Sequence, residues 1–125
     1  MPTYQAPIRD FQFVVKEMIG TSFIHGLKGH EDFSDDLFDA VIGEAARFCE
    51  NTLFPINQSG DAEGCQIKDG VVTTPKGFKE AYDAFVEAGW PSLSCDPAYG
   101  GQGLPDTLAV FLEEMICSAN FSFCL

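Results

Sequence analysis

A chain of 125 residues, 46% of them hydrophobic and 21% charged, has the size and balance of one domain folded around one core, which excludes an intrinsically disordered chain. Nineteen acidic residues against seven basic ones leave a formal charge of −12. That excludes a nucleic-acid surface and an anionic-membrane surface, both of which require clustered Lys and Arg.

Residues 7–19 read as a helix. Pro7 suits a first helical position, Ile8, Phe11, Val15 and Met18 recur at helical spacing with Val14 beside them, and Gly20 ends the run. Residues 21–33, with His25, Gly26, Gly29 and His30, read as a connector with a short helical turn. Residues 34–53 read as a helix capped by Ser34, with Asp35 and Asp36 in its first turn, where the helix dipole favours negative charge. Its stripe is Leu37, Val41, Ala45, Phe48 and Thr52, flanked by Phe38, Ile42 and Cys49, and Pro55 is expected to stop it. Residues 55–74 read as a loop containing one short hairpin near 65–73, turned at Asp69-Gly70. Residues 75–88 read as a helix capped by Thr74, started by Pro75 and ended by Gly89, with Phe78, Ala81, Tyr82, Phe85 and Val86 on one face. A Gly- and Pro-rich loop spans 90–105. Residues 106–117 then repeat the helical pattern through Leu108, Phe111, Leu112, Met115 and Ile116, before an apolar run from Ala119 to Leu125. The fold class is therefore all-α, helices joined by long loops. The apolar ending is unlike an exposed terminus, and suggests a piece of a longer chain.

Five cysteines, at 49, 65, 95, 117 and 124, form no CxxC pair, no secretory leader opens the sequence, and no run approaches a membrane helix in length. The expectation is a cytoplasmic protein with reduced, mostly buried thiols and no membrane insertion. The Gly100-Gly101-Gln102-Gly103 loop follows no strand and precedes no Lys-Ser/Thr, so it fails the contexts of both nucleotide-binding glycine loops and reads as a tight turn. His25 and His30 have no partner at metal-ligand spacing, and Asp61, Glu63 and Asp69 do not match a calcium loop. Glu113 and Glu114 are adjacent on one helix and point about 100° apart, so they cannot serve as an acid–base couple. No catalytic residue and no metal ligand is assigned, and any catalysis has to be completed elsewhere. A hydrolase built on a Cys–His pair would require the two side chains within hydrogen-bond reach.

The ordered stretch Gly89-Trp90-Pro91-Ser92-Leu93, Asp96-Pro97-Ala98-Tyr99-Gly100-Gly101-Gln102-Gly103-Leu104-Pro105, Leu112-Glu113-Glu114-Met115 and Ala119-Asn120 resembles the N-terminal helical domain of the acyl-CoA dehydrogenases. The opening Tyr4-Gln5-Ala6-Pro7-Ile8-Arg9-Asp10-Phe11 resembles the subgroup with an extra N-terminal segment, which includes the methylmercaptopropionyl-CoA dehydrogenases. The resemblance covers essentially residues 1–125 and is weakest between 21 and 70.

It implies an FAD-dependent oxidoreductase of fatty acid metabolism that desaturates an acyl-CoA thioester between its α and β carbons. The family is oligomeric and passes electrons to an electron-transferring flavoprotein. The resemblance also implies that a β-domain, a C-terminal helical domain, the catalytic base and nearly all flavin contacts lie beyond Leu125, leaving this segment inactive alone and without a cofactor-binding residue. By position, Phe121, Ser122, Phe123, Cys124 and Leu125 would form a wall of the acyl pocket, or else pack against the missing domains. The competing reading is a free-standing acidic helical module that binds a protein partner through its apolar end.

Overall fold

The computed structural model describes residues 3–125; Met1 and Pro2, the start of the sequence read above as leaderless, lie outside them. Helix α1 (Ile8–Gln12) runs directly into a π-helical stretch, Phe13–Ile19, and Gly20 ends it. The wider turns rotate the apolar stripe: Phe11 and Val15 are buried, whereas Met18, expected on the same face, is 67% exposed. A short α2 (Thr21–His25) fills part of the connector.

Helix α3 (Asp35–Phe48) starts where the sequence placed it, the Ser34 hydroxyl accepting from the Leu37 amide at 3.2 Å. Its most buried line is Phe38, Ile42, Ala45, Ala46 and Cys49, so the flanking residues face the core and Leu37, Val41 and Phe48 are only half-buried. Pro55 does not stop the helix. A π-helical turn, Cys49–Leu53, intervenes, and α4 (Phe54–Glu63) continues with Pro55 in its opening turn. Pro55 lies just past the π turn, and, lacking an N–H, it gives up one hydrogen bond of the continuous helix without ending it. The loop expected at 55–63 is thus helical.

The hairpin is present as β1 (Gln66–Lys68) and β2 (Val71–Thr73), antiparallel, pairing Gln66 with Thr73, Ile67 with Val72 and Lys68 with Val71. Asp69 (φ 52°) and Gly70 (φ 78°) make the turn. Helix α5 (Phe78–Glu87) begins three residues later than expected. Pro75 opens a separate turn, closed by the Phe78 amide on the Pro75 carbonyl, and Gly77 at φ 87° resets the backbone before the helix, so Thr74 caps nothing. Two 3-10 turns, Trp90–Ser92 and Pro97–Tyr99, shape the next loop. Helix α6 (Asp106–Ala119) buries all five residues of its expected face, and α7 (Phe121–Cys124) follows.

The core sits between α3 and α6. Val15, Phe38, Ile42, Ala45, Leu53, Leu108 and Met115 have no exposed surface. Phe111 stacks on Phe11 at 4.5 Å and meets Phe38 edge-on at 6.1 Å, arrangements that suit the quadrupoles of aromatic rings. Among the described residues no helix is long and apolar enough to cross a membrane.

Candidate functional site: an apolar cleft at the α5–α6–α7 corner

The sequence ending at Phe121–Leu125 turns back on itself because Asn120 leaves the helix and caps the next one. Asn120 is fully buried; its Nδ2 donates to the Leu53 carbonyl at 3.1 Å, and its Oδ1 accepts from the Phe123 amide at 3.2 Å. The amide therefore ties the end of α6 to the π turn and fixes where α7 projects. From α7, Phe123 enters an aromatic group: Phe85 lies 5.8 Å away, Phe78 6.4 Å and Phe48 6.5 Å between ring centres.

Beside this group is a cleft of about 490 Å³ lined by Tyr82 and Phe85 of α5, Trp90, Ala109, Leu112, Glu113 and Ile116 of α6, and Phe123, Cys124 and Leu125. A second hollow of about 300 Å³ is lined by Thr74, Phe78, Lys79, Ser122 and, in common with the first, Tyr82 and Phe123. The five residues singled out by the sequence divide accordingly. Phe123, Cys124 and Leu125 line the larger hollow and Ser122 the smaller, while Phe121, 58% exposed, lines neither. The spacing puts Tyr82, Phe85, Leu112 and Ile116 on ordinary apolar helix faces and Trp90 in a loop, and marks none of them as a cleft residue. For the α5 pair the signal is a stripe broader than the core it meets: Ala81 is buried and Phe85 half-buried, whereas Tyr82 and Val86 are 58% and 47% exposed. Trp90 also carries an indole N–H that is buried without a hydrogen-bond partner.

The lining of the cleft is apolar and aromatic, with Glu113 its one charged residue. Glu113, on its rim, is exposed, as is Glu114. Four of the seven basic side chains are held in ion pairs: Arg9 with Glu17, Lys16 with Asp39, Arg47 with Glu44 and Lys79 with Asp83. The glycine loop is a turn, as read: its amides are consumed internally, Gly101 on Asp96, Gln102 on Ser92, Gly103 on Cys95 and Leu104 on Leu93. At Gly101 any side chain would collide with the Cys95 carbonyl, so the glycine answers to close chain approach rather than to a phosphate.

The thiols correct the expectation of burial. Only Cys49 is buried; Cys65 and Cys95 are exposed, and Cys117 and Cys124 half-buried. Desolvation and then the charge of Glu50 push the Cys49 thiol up to about 12. Cys117 and Cys124 lie 3.0 Å apart, sulfur to sulfur, and that hydrogen bond, with burial, pushes Cys124 up to about 11. The Cys–His pair of a hydrolase does not assemble in any hydrogen bond, and among the described residues no group of three metal-ligating side chains converges.

No family model matches the chain. It is similar to three curated dehydrogenases. It is 37% identical over 121 residues, 97% of the chain, to a 3-methylmercaptopropionyl-CoA dehydrogenase of Ruegeria pomeroyi, of which it covers 21%. It is 30% identical over 125 residues, 96% of the chain, to the broad-specificity linear acyl-CoA dehydrogenase FadE5 of Mycobacterium tuberculosis, covering 20% of it. Over 91 residues, 69% of the chain, it is 33% identical to a butyryl-CoA dehydrogenase of Syntrophomonas wolfei, covering 15%. The chain thus spans about a fifth or less of the length of these relatives.

Proposed function

The chain belongs to the acyl-CoA dehydrogenase family, and on that premise we propose that residues 1–125 are the N-terminal helical domain of a flavin-dependent enzyme that desaturates an acyl-CoA thioester. In that enzyme this domain supplies one wall of the acyl pocket and is inactive by itself. The observation that carries the reading is the cleft. Three of the five residues assigned to the wall line a hollow whose other sides are Tyr82, Phe85, Trp90, Leu112 and Ile116. An apolar, largely aromatic wall of that kind suits an alkyl chain.

FAD does not fit the residues of this domain. Its pyrophosphate needs free amides or basic side chains, and here the glycine-loop amides are occupied and the cations sparse and mostly paired. The flavin contacts and the base that takes the α-proton therefore belong to other parts of the enzyme, as do the contacts to the phosphates of the coenzyme. The electron acceptor is an electron-transferring flavoprotein, the enzyme is a homo-oligomer, and it works in the cytoplasm.

The test is to express the continuous reading frame that contains this chain and record its visible spectrum with a panel of acyl-CoA thioesters. A yellow protein that bleaches with one class of thioester is expected, and the isolated 125-residue chain should stay colourless and inactive. A full reading frame that binds no flavin, or whose flavin no thioester bleaches, would reject the reading.

A further inference from the structure

Two half-buried thiols 3.0 Å apart, from the last turn of α6 and from α7, stand out from the other cysteines. A disulfide needs its sulfurs about 2.05 Å apart, so closing the pair asks for a shift of about 1 Å. The approach is held in place. Asn120, between the two cysteines, is buried and hydrogen-bonded at both ends of its amide. Half-burial admits a small oxidant, whereas Cys49 is sealed in the core. Among the described residues no other two cysteine sulfurs are in hydrogen-bonding contact.

We propose that Cys117 and Cys124 form a reversible disulfide that clasps α7 onto α6 and sets the position of the cleft wall. The oxidant is a low-molecular-weight disulfide such as oxidised glutathione. One cysteine, as thiolate, attacks a glutathione sulfur, forms a mixed disulfide and expels one glutathione thiolate. The second attacks the protein sulfur of the mixed disulfide, forms the Cys117–Cys124 bond and expels the other glutathione. Two protein thiols lose two electrons and two protons, and one oxidised glutathione becomes two reduced ones. Because Cys124 lines the cleft beside Phe123 and Leu125, the bond fixes that wall; its bearing on acyl-CoA rests on the function proposed above.

The experiment equilibrates the protein in glutathione buffers from fully reduced to fully oxidised, traps free thiols with N-ethylmaleimide and digests with chymotrypsin. Chymotrypsin cuts after Phe121 and Phe123, between the two cysteines. The expected result is a linked pair of peptides carrying Cys117 and Cys124, absent in the reduced sample and lost on adding dithiothreitol. Cys117→Ser should abolish the pair and Cys95→Ser should leave it. Recovery of both cysteines as separate maleimide or glutathione adducts across the whole range overturns the disulfide, as does linkage of either to Cys65 or Cys95. Acyl-CoA turnover on the same samples separates the two ideas. A KM for thioesters that moves with the linked fraction supports the wall. A linked pair with unmoved KM overturns the wall claim alone, and a linked pair in a protein without dehydrogenase activity overturns only the proposed function.

Discussion

Asn120 joins three elements through one side chain: it ends α6, caps α7 and satisfies the Leu53 carbonyl at the end of the π turn. Replacing it by Ala would take its side-chain donor from the Leu53 carbonyl and leave the Phe123 amide only the Asn120 backbone carbonyl, 3.1 Å away. We expect Asn120→Ala to lower stability by about 2 kcal/mol, the usual cost of orphaning buried polar groups, read as a shift in the urea midpoint. A loss below about 0.5 kcal/mol, typical of an unimportant surface site, would contradict this. Asp39 gives a pH-dependent counterpart. It accepts from Lys16 Nζ at 2.6 Å and Gln12 Nε2 at 3.0 Å, and the Lys16 contact foremost holds its carboxyl below the ordinary value. A depressed folded-state pKa contributes stability above the unfolded value, and that contribution is lost as pH falls through the folded one. The pair is partly exposed, so Lys16→Met should cost only about 0.5 kcal/mol at neutral pH. Urea midpoints of the two proteins should converge in acid; a gap that persists there would place the effect in packing of the lysine stem.

Features with a local chemical cause were legible in the sequence: the Ser34 cap, the Asp69-Gly70 turn of the hairpin, and the five-residue face of α6. Elements that depend on irregular turns were not. Helix α4 was read as loop because Pro55, Gly60 and polar residues dominate it, and nothing local announces the π turn that precedes the proline. Gly60, which weakens a helix in isolation, is buried against the Phe78 ring where a larger residue would collide. Of the site, the α7 residues were legible through family resemblance alone, whereas the α5 contribution needed the structure, since an apolar stripe looks the same in sequence whether it meets the core or an open cleft. That openness is testable within the element. Tyr82→Ser and Val86→Ser should each change the stability of the 125-residue chain by less than about 0.5 kcal/mol, because exposed side chains lose little when shortened. A loss of several times that in a denaturant titration would mean that α5 is buried in solution.

Across the whole molecule the apolar surface is unevenly spread. The α3–α6 interface is closed, while Phe13, Met18, Phe23 and Leu27 at the amino-terminal end, and Tyr82, Val86, Phe121 and Leu125 around the cleft, are exposed. Exposed apolar patches beyond a few hundred Å² favour association, so the isolated chain should form dimers or larger species despite its charge of −12. Light scattering across a wide concentration range checks this, and a persistent monomer would refute it. Phe123, like Tyr82, lines both hollows, of about 490 and 300 Å³. A ring shared in this way can serve as a bulkhead, and a bulkhead is a ruler: a guest's permitted length would be read against its near side. Taking it out with Phe123→Ala joins the two compartments into one berth. In the active enzyme, preference among straight-chain thioesters should then slide toward longer members of the series, measured as the ratio of kcat/KM values, while an unchanged ratio would mean the guest never lies alongside that ring.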